Sequence, residues 1–194
     1  MLQDFGLYFE LGWQHILDLE GYDHILFVSV LCGIYLLKDW RKVLLLVTAF
    51  TVGHSITLAL SVFDKISVDS ALIEFLIPVT IVTTAGFNIL NKNFSQKNLT
   101  FNYMMALIFG LIHGMGFSNY LKSLLGRDTS IINELLAFNV GLEFGQIVIV
   151  LFILILSFLA VQLLSVKRRE WNLFLSSAIF GIAFLMAVER FPNF

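Results

Sequence analysis

The chain has 194 residues, of which 58% are apolar and 13% charged, and its net charge is −2. A mean hydropathy of +0.88, with about half the roughly 25% charged residues of soluble domains, excludes a soluble domain and points to an integral membrane protein with several spans. No basic excess exists to bind nucleic acid, and one cysteine, Cys32, excludes an internal disulfide or a C-x-x-C site.

Met1-Leu-Gln-Asp4 has no cationic start, so the spans are expected to act as the targeting signals. Residues 5–20 mix Phe, Leu, Trp and Tyr with Asp and Glu, which predicts an N-terminal interfacial or partly inserted helix. The clean apolar run 25–37 is shorter than the roughly 20 residues a span needs. The first span is therefore placed at 17–37, with Gly21 able to let the backbone break. Asp23 and His24 then sink about 9 Å below the interface at 1.5 Å per residue.

The second span covers 43–63 and contains Thr51, His54, Ser55 and Thr57. The third, 71–90, has Glu74 near one end, Pro78 as an expected kink and Asn88 near the other end. A polar loop over 91–100 leads to the fourth, 101–125, which carries His113. A turn at 126–130 precedes the fifth span, 132–166, with Asn139, Glu143 and Gln146 in its first half. The sixth is 171–188. The predicted fold is a single all-α polytopic domain over 1–194, with six transmembrane helices and an interfacial N-terminal segment. A crossing by 5–20 would make seven spans, but its carboxylates argue against that.

Alternate loops divide the basic residues unequally. Lys38, Arg41, Lys42, Lys92, Lys97, Lys167, Arg168 and Arg169 fall on one side, against Lys65, Lys122, Arg127 and Arg190. The richer side is assigned to the cytoplasm, which leaves both termini outside.

Polar groups recur at one depth. His54 lies roughly 18 Å from the cytoplasmic end of its span, and His113 is similarly placed. Asp23, His24, Asn139 and Glu143 approach the same level from the outer side. Neutral imidazole and carboxylate are ligands for first-row transition ions, so His24, His54, His113, Glu143 and Asp23 are the candidate metal ligands. Three imidazoles with a carboxylate suit Ni²⁺, Co²⁺ or Zn²⁺. The lack of Cys and Met in the set argues against Cu⁺. Gly53, Gly110, Gly114, Gly116, Gly141 and Gly145 flank these groups and permit close helix approach.

Asn139, Glu143 and Gln146 are spaced to share one helix face. With His15, Ser55 and Glu74, the two amides form the candidate supporting or access shell, and Asp23 is also placed to orient an imidazole. The ordinary alternative for each histidine is a helix–helix hydrogen bond, and for Thr51, Ser55 and Asn88 a bond to backbone or a neighbouring helix. Phe50-x3-His54 also echoes Phe109-x3-His113. Such echoes can mark inverted repeats, which place transporter sites near the midplane.

Five runs together resemble the HupE/UreJ family of membrane proteins. They are His15 with Gly21-Tyr-Asp-His-Ile-Leu-Phe27, Phe50-Thr-Val-Gly-His-Ser-Ile-Thr-Leu58, Glu74, Phe109-Gly-Leu-Ile-His-Gly-Met-Gly-Phe117, and Phe138-Asn-Val-Gly-Leu-Glu-Phe-Gly-Gln146. They occur in family order and cover nearly the whole chain. The resemblance implies a bacterial inner-membrane permease for nickel or cobalt, associated with hydrogenase or urease maturation. His15 stands farther from Asp23-His24 than in the tighter nickel-permease motif.

Two functions compete at this stage. In a divalent-metal permease the ion enters from outside and is held by His24, His54, His113 and Glu143. Such a site must release its ion inward, and the inner half offers few polar groups beyond Asn88. In an intramembrane zinc hydrolase, Glu143 or Asp23 would be the general base acting on a lipid or lipoprotein substrate. The implied partners are the lipid bilayer and a metal ion, and nothing in the sequence sets an oligomeric state.

Overall fold

Among the described residues, seven α-helices make up the fold and no strand occurs. The computed structural model describes residues 2–91, 96–124 and 131–191. The helices are α1 Leu2–Leu17, α2 Asp23–Cys32, α3 Trp40–Val62, α4 Ser70–Leu90, α5 Gln96–Leu124, α6 Ile131–Phe158 and α7 Arg168–Glu189. A π-helical turn, Leu159–Leu163, extends α6. Lys92, Arg127 and the turn at 126–130 lie outside the described residues, and the loop expected over 91–100 is shortened because α5 already begins at Gln96.

Among the described residues, five segments are long and apolar enough to cross a membrane: Leu37–Val62, Ser70–Leu90, Thr100–Ser118, Ile131–Leu163 and Arg168–Glu189. The chain is a multi-pass membrane protein. The expected first span, 17–37, is not one continuous helix. Residues 18–22 are non-helical, and the helix begins at Asp23 rather than near 16–18. Asp18 Oδ1 accepts the Glu20 backbone N–H at 2.9 Å, a local turn that competes with helix. Pro78, by contrast, sits inside an α4 that remains one helix from Ser70 to Leu90.

The segment over 5–20 is helical through Leu17, as expected, and is placed by its packing. Helix α1 lies lengthwise on α6. Phe9 meets Gly141 and Ile16 meets Gly145, so both chains advance together and the helices run parallel. A Cβ at Gly12 would strike the Phe138 carbonyl oxygen, and one at Gly141 the Phe9 carbonyl. Through this backbone contact along α6, α1 fits the partly inserted form of the expectation. Its polar residues fall on the far face, where exposed Gln14 donates to Glu10 at 3.0 Å. That one-sided polarity is what gave the stretch its interfacial look.

Helices α3 and α5 form a second glycine-mediated pair. Phe50 meets Gly110, His54 meets Gly114, and Ser61 donates to Ser118 at 2.7 Å. This pair is also parallel. The Phe-x3-His echo therefore joins two helices of the same direction and does not mark an inverted repeat.

The two arginines that open α7 close the basic end of the bundle. Arg168 donates through Nε and Nη2 to Ile34 O, just past the end of α2. Arg169 donates to Asn88, Ile89 and Asn91 carbonyls at the end of α4. Helix C-termini leave carbonyls without donors and carry partial negative charge, so a guanidinium satisfies both demands.

Candidate metal centre

Asp23 opens α2 immediately after the helix break. Its Oδ1 accepts the His24 backbone N–H at 2.8 Å, satisfying a first-turn amide that has no helical partner. The same oxygen lies 3.0 Å from His24 Nδ1. His24 Nε2 therefore points the other way and meets His113 Nδ1 at 2.7 Å. Ligand atoms of Asp23, His24 and His113 all lie within 4.8 Å of one another, and all three residues are buried.

The remaining two of the four histidines are close by. His15, near the end of α1, has its ring centroid 4.6 Å from that of His24. His54 lies next, 6.2 Å from His15 between centroids. It is fully buried, and neither ring nitrogen has a well-aligned hydrogen-bond partner among the described residues. His15 Nε2 and His113 Nε2 are likewise unpartnered. Buried polar atoms are normally satisfied, so this concentration of free imidazole nitrogens fits a ligand.

A cavity of about 260 Å³ opens beside the cluster, lined by His15, Asp23, His24 and His113 together with Asp18, Glu74 and Arg190. A second cavity of about 450 Å³ lies on the Leu11–Gln14 side of His15. Arg190 Nη1 sits 3.4 Å from Asp23 Oδ2, so a guanidinium balances the carboxylate at the mouth. Irregular backbone is tolerated at membrane depth where it lines a cavity, and Asp18 and Gly21 of the break do so.

Beneath the cluster lies an aromatic floor. Phe27 and Phe109 stack at 3.4 Å between centroids, and Phe50 closes on both at 5.9 and 5.6 Å. All three are fully buried or nearly so. Phe109 also stacks on His113 at 3.9 Å, one helical turn further along α5.

Residues 1–190 match the family described as HupE / UreJ protein. The chain belongs to the HupE/UreJ family. Searches of the curated proteins and of the solved structures found no match.

In this HupE/UreJ chain, Glu143 does not join the imidazoles. Its Oε1 accepts the Thr48 hydroxyl at 2.8 Å on the α3–α6 seam, where Glu143 is half-buried. Gln146 Oε1, one turn on, accepts Thr51 Oγ1 at 3.1 Å. Asn139 Nδ2 donates to Leu135 O, and its Oδ1 is buried without a well-aligned partner among the described residues. Ser55 donates to the Thr51 carbonyl at 2.7 Å, and Asn88 donates to Val30 O. Glu74 is exposed at the cavity mouth.

Asp18, Arg190 and Thr48 were not singled out by sequence reasoning. A lone cation at the end of the last span was the available sign for Arg190. The repeated Phe-x3-His spacing was the sign for the floor, since Phe50 and Phe109 are its members. His15 joins the group despite its distance in sequence, because the break at 18–22 turns α2 back beside α1.

Proposed function

We propose that this HupE/UreJ protein is a permease for a divalent transition metal, nickel or cobalt first and zinc third. One observation carries the proposal: a carboxylate and two imidazoles from α2 and α5 present ligand atoms within 4.8 Å of one another, beside a cavity. His24, His113 and Asp23 would take the ion, with His15 supplying the next imidazole and His54 the one beyond.

The geometry favours a ready exchange. A contact of 2.7 Å between two ring nitrogens requires a proton on one of them. Metal binding requires a lone pair on each. With its proton on Nδ1, on the side of the Asp23 carboxylate 3.0 Å away, His24 would offer a lone pair at Nε2, and His113 would have to carry its own proton on Nε2 to offer one at Nδ1. Tetrahedral bonds of about 2.0–2.1 Å place two nitrogens roughly 3.3 Å apart, so the rings would part by about 0.6 Å.

Carboxylates at the mouth, Asp18 and Glu74, would attract the cation, and Arg190 would hold Asp23 until it arrives. The basic end, with Arg168 and Arg169, is assigned to the cytoplasm, which puts the cavity and both termini outside a bacterial inner membrane. The hydrolase alternative is not favoured. Glu143 is bonded to Thr48, away from the cluster, and Asp23 is engaged by Arg190 and the His24 amide.

The test is uptake of radioactive nickel or cobalt by liposomes containing the purified protein. Wild-type protein should accumulate the ion, while His24→Ala and His113→Ala should not. Tight binding without uptake by the wild type would overturn the permease function.

A further inference from the structure

Cargo leaving the histidine cluster toward the basic end cannot go straight. Phe27, Phe50 and Phe109 fill that direction with fully apolar rings. The polar groups instead turn sideways. His54 leads from the cluster onto the α3–α6 seam, and Thr51 and Thr48 follow at three-residue steps on α3. Six residues of helix from His54 to Thr48 cover about 9 Å. Gln146 and Glu143 of α6 answer the two threonines with hydrogen bonds of 3.1 and 2.8 Å.

This seam has more hydrogen-bonding capacity than it uses. Gln146 is fully buried, and its Nε2 has no partner among the described residues. Both nitrogens of His54 and Asn139 Oδ1 also lack a well-aligned partner among the described residues, although the two side chains lie close enough to interact. Rotating the Gln146 amide by half a turn would give Thr51 the nitrogen and aim the oxygen into the seam. Glu143 is half-buried and Thr48 exposed, so their bond lies at the open edge of the seam. A carboxylate on a membrane-spanning helix is costly without a countercharge, and the Thr48 hydroxyl supplies none.

We propose that Glu143, Thr48, Thr51 and Gln146 form a second site, a transit site for the divalent cation on its way from the histidine cluster. The proposal rests on the permease function above and supplies a first step away from the cluster on the inward path that function requires. Its ligand chemistry differs from that of the cluster. Carboxylate, hydroxyl and amide oxygens hold nickel and cobalt less firmly than imidazoles do. A firm nitrogen site followed by a weaker oxygen site lets the ion move on and be released.

The experiment pairs binding with transport on full-length protein. Equilibrium dialysis in detergent measures Ni²⁺ held by the histidine cluster, and ⁶³Ni uptake into liposomes measures passage. Thr51→Val, Gln146→Leu and Glu143→Gln should keep cluster binding, which also shows that they fold. Their uptake should fall by about 10- to 100-fold, and Thr51→Ser should restore it. Unchanged uptake in all three variants, with an active wild type, would overturn the transit site and leave the permease standing. Loss of cluster binding in the variants would also overturn it, because the two sites would not be separate. A wild type that binds Ni²⁺ but transports none would overturn the permease, and the transit site with it.

Discussion

His24 Nε2 and His113 Nδ1 stand 2.7 Å apart although 89 positions separate them in the chain. Removing either ring halves the closest imidazole pair and leaves the other nitrogen buried without a partner. Nickel affinity of His113→Ala should drop by more than about 100-fold, as read by isothermal titration calorimetry. A matching loss belongs in the thermal scan. Metal at 100 times its Kd stabilises a folded protein by about 2.7 kcal/mol, and the variant should show no such shift.

The α3–α5 contact depends on backbone meeting backbone. At Gly110 an added Cβ would press on the Phe50 carbonyl, which cannot move independently of α3. Gly110→Ala should therefore cost about 1–3 kcal/mol through overpacking. Gly181 on α7 has nothing within 4 Å of the same position. Gly181→Ala should stabilise by about 0.5–1 kcal/mol, because alanine loses less backbone freedom in a helix. Thermal unfolding in detergent would show the two changes with opposite signs.

Arg169 serves three carbonyls at the end of α4 through one planar group. Arg169→Met keeps much of the stem but strands the Ile89 and Asn91 acceptors, while Asn172 Nδ2 still donates to Asn88 O, at a cost of about 1–3 kcal/mol. Arg169→Lys should recover only part of this, since an ammonium cannot reproduce the guanidinium fork. Hydrogen exchange over residues 86–91 would localise the effect to this helix end.

Phe27 lies face to face with Phe109 in the floor under the imidazoles. Phe27→Ala opens a cavity there and should cost about 3–5 kcal/mol. Phe27→Leu should cost clearly less, because it retains most of the volume. Chemical denaturation of the two variants would rank them.

Hydropathy alone determined the class of this protein. Long apolar segments such as Ile131–Leu163 and Arg168–Glu189 admit only helices, since a bilayer offers the backbone no other hydrogen-bond partner. The residues of the candidate cluster were visible for the same reason: Asp23, His24, His54 and His113 are too polar to sit in apolar spans without cause. Matched depth along separate helices was also legible, because rise per residue is fixed.

Depth does not determine direction. Glu143 lies near the right level, yet it faces Thr48, because rotation of α6 about its axis is set by glycine contacts with α1 at Gly12, Gly141 and Gly145. His15 shows the converse. Its ring reaches the cluster because residues 18–22 break the chain and α1 stands along α6. Pattern along a helix tells how far in a residue lies; only packing against other helices decides what it touches.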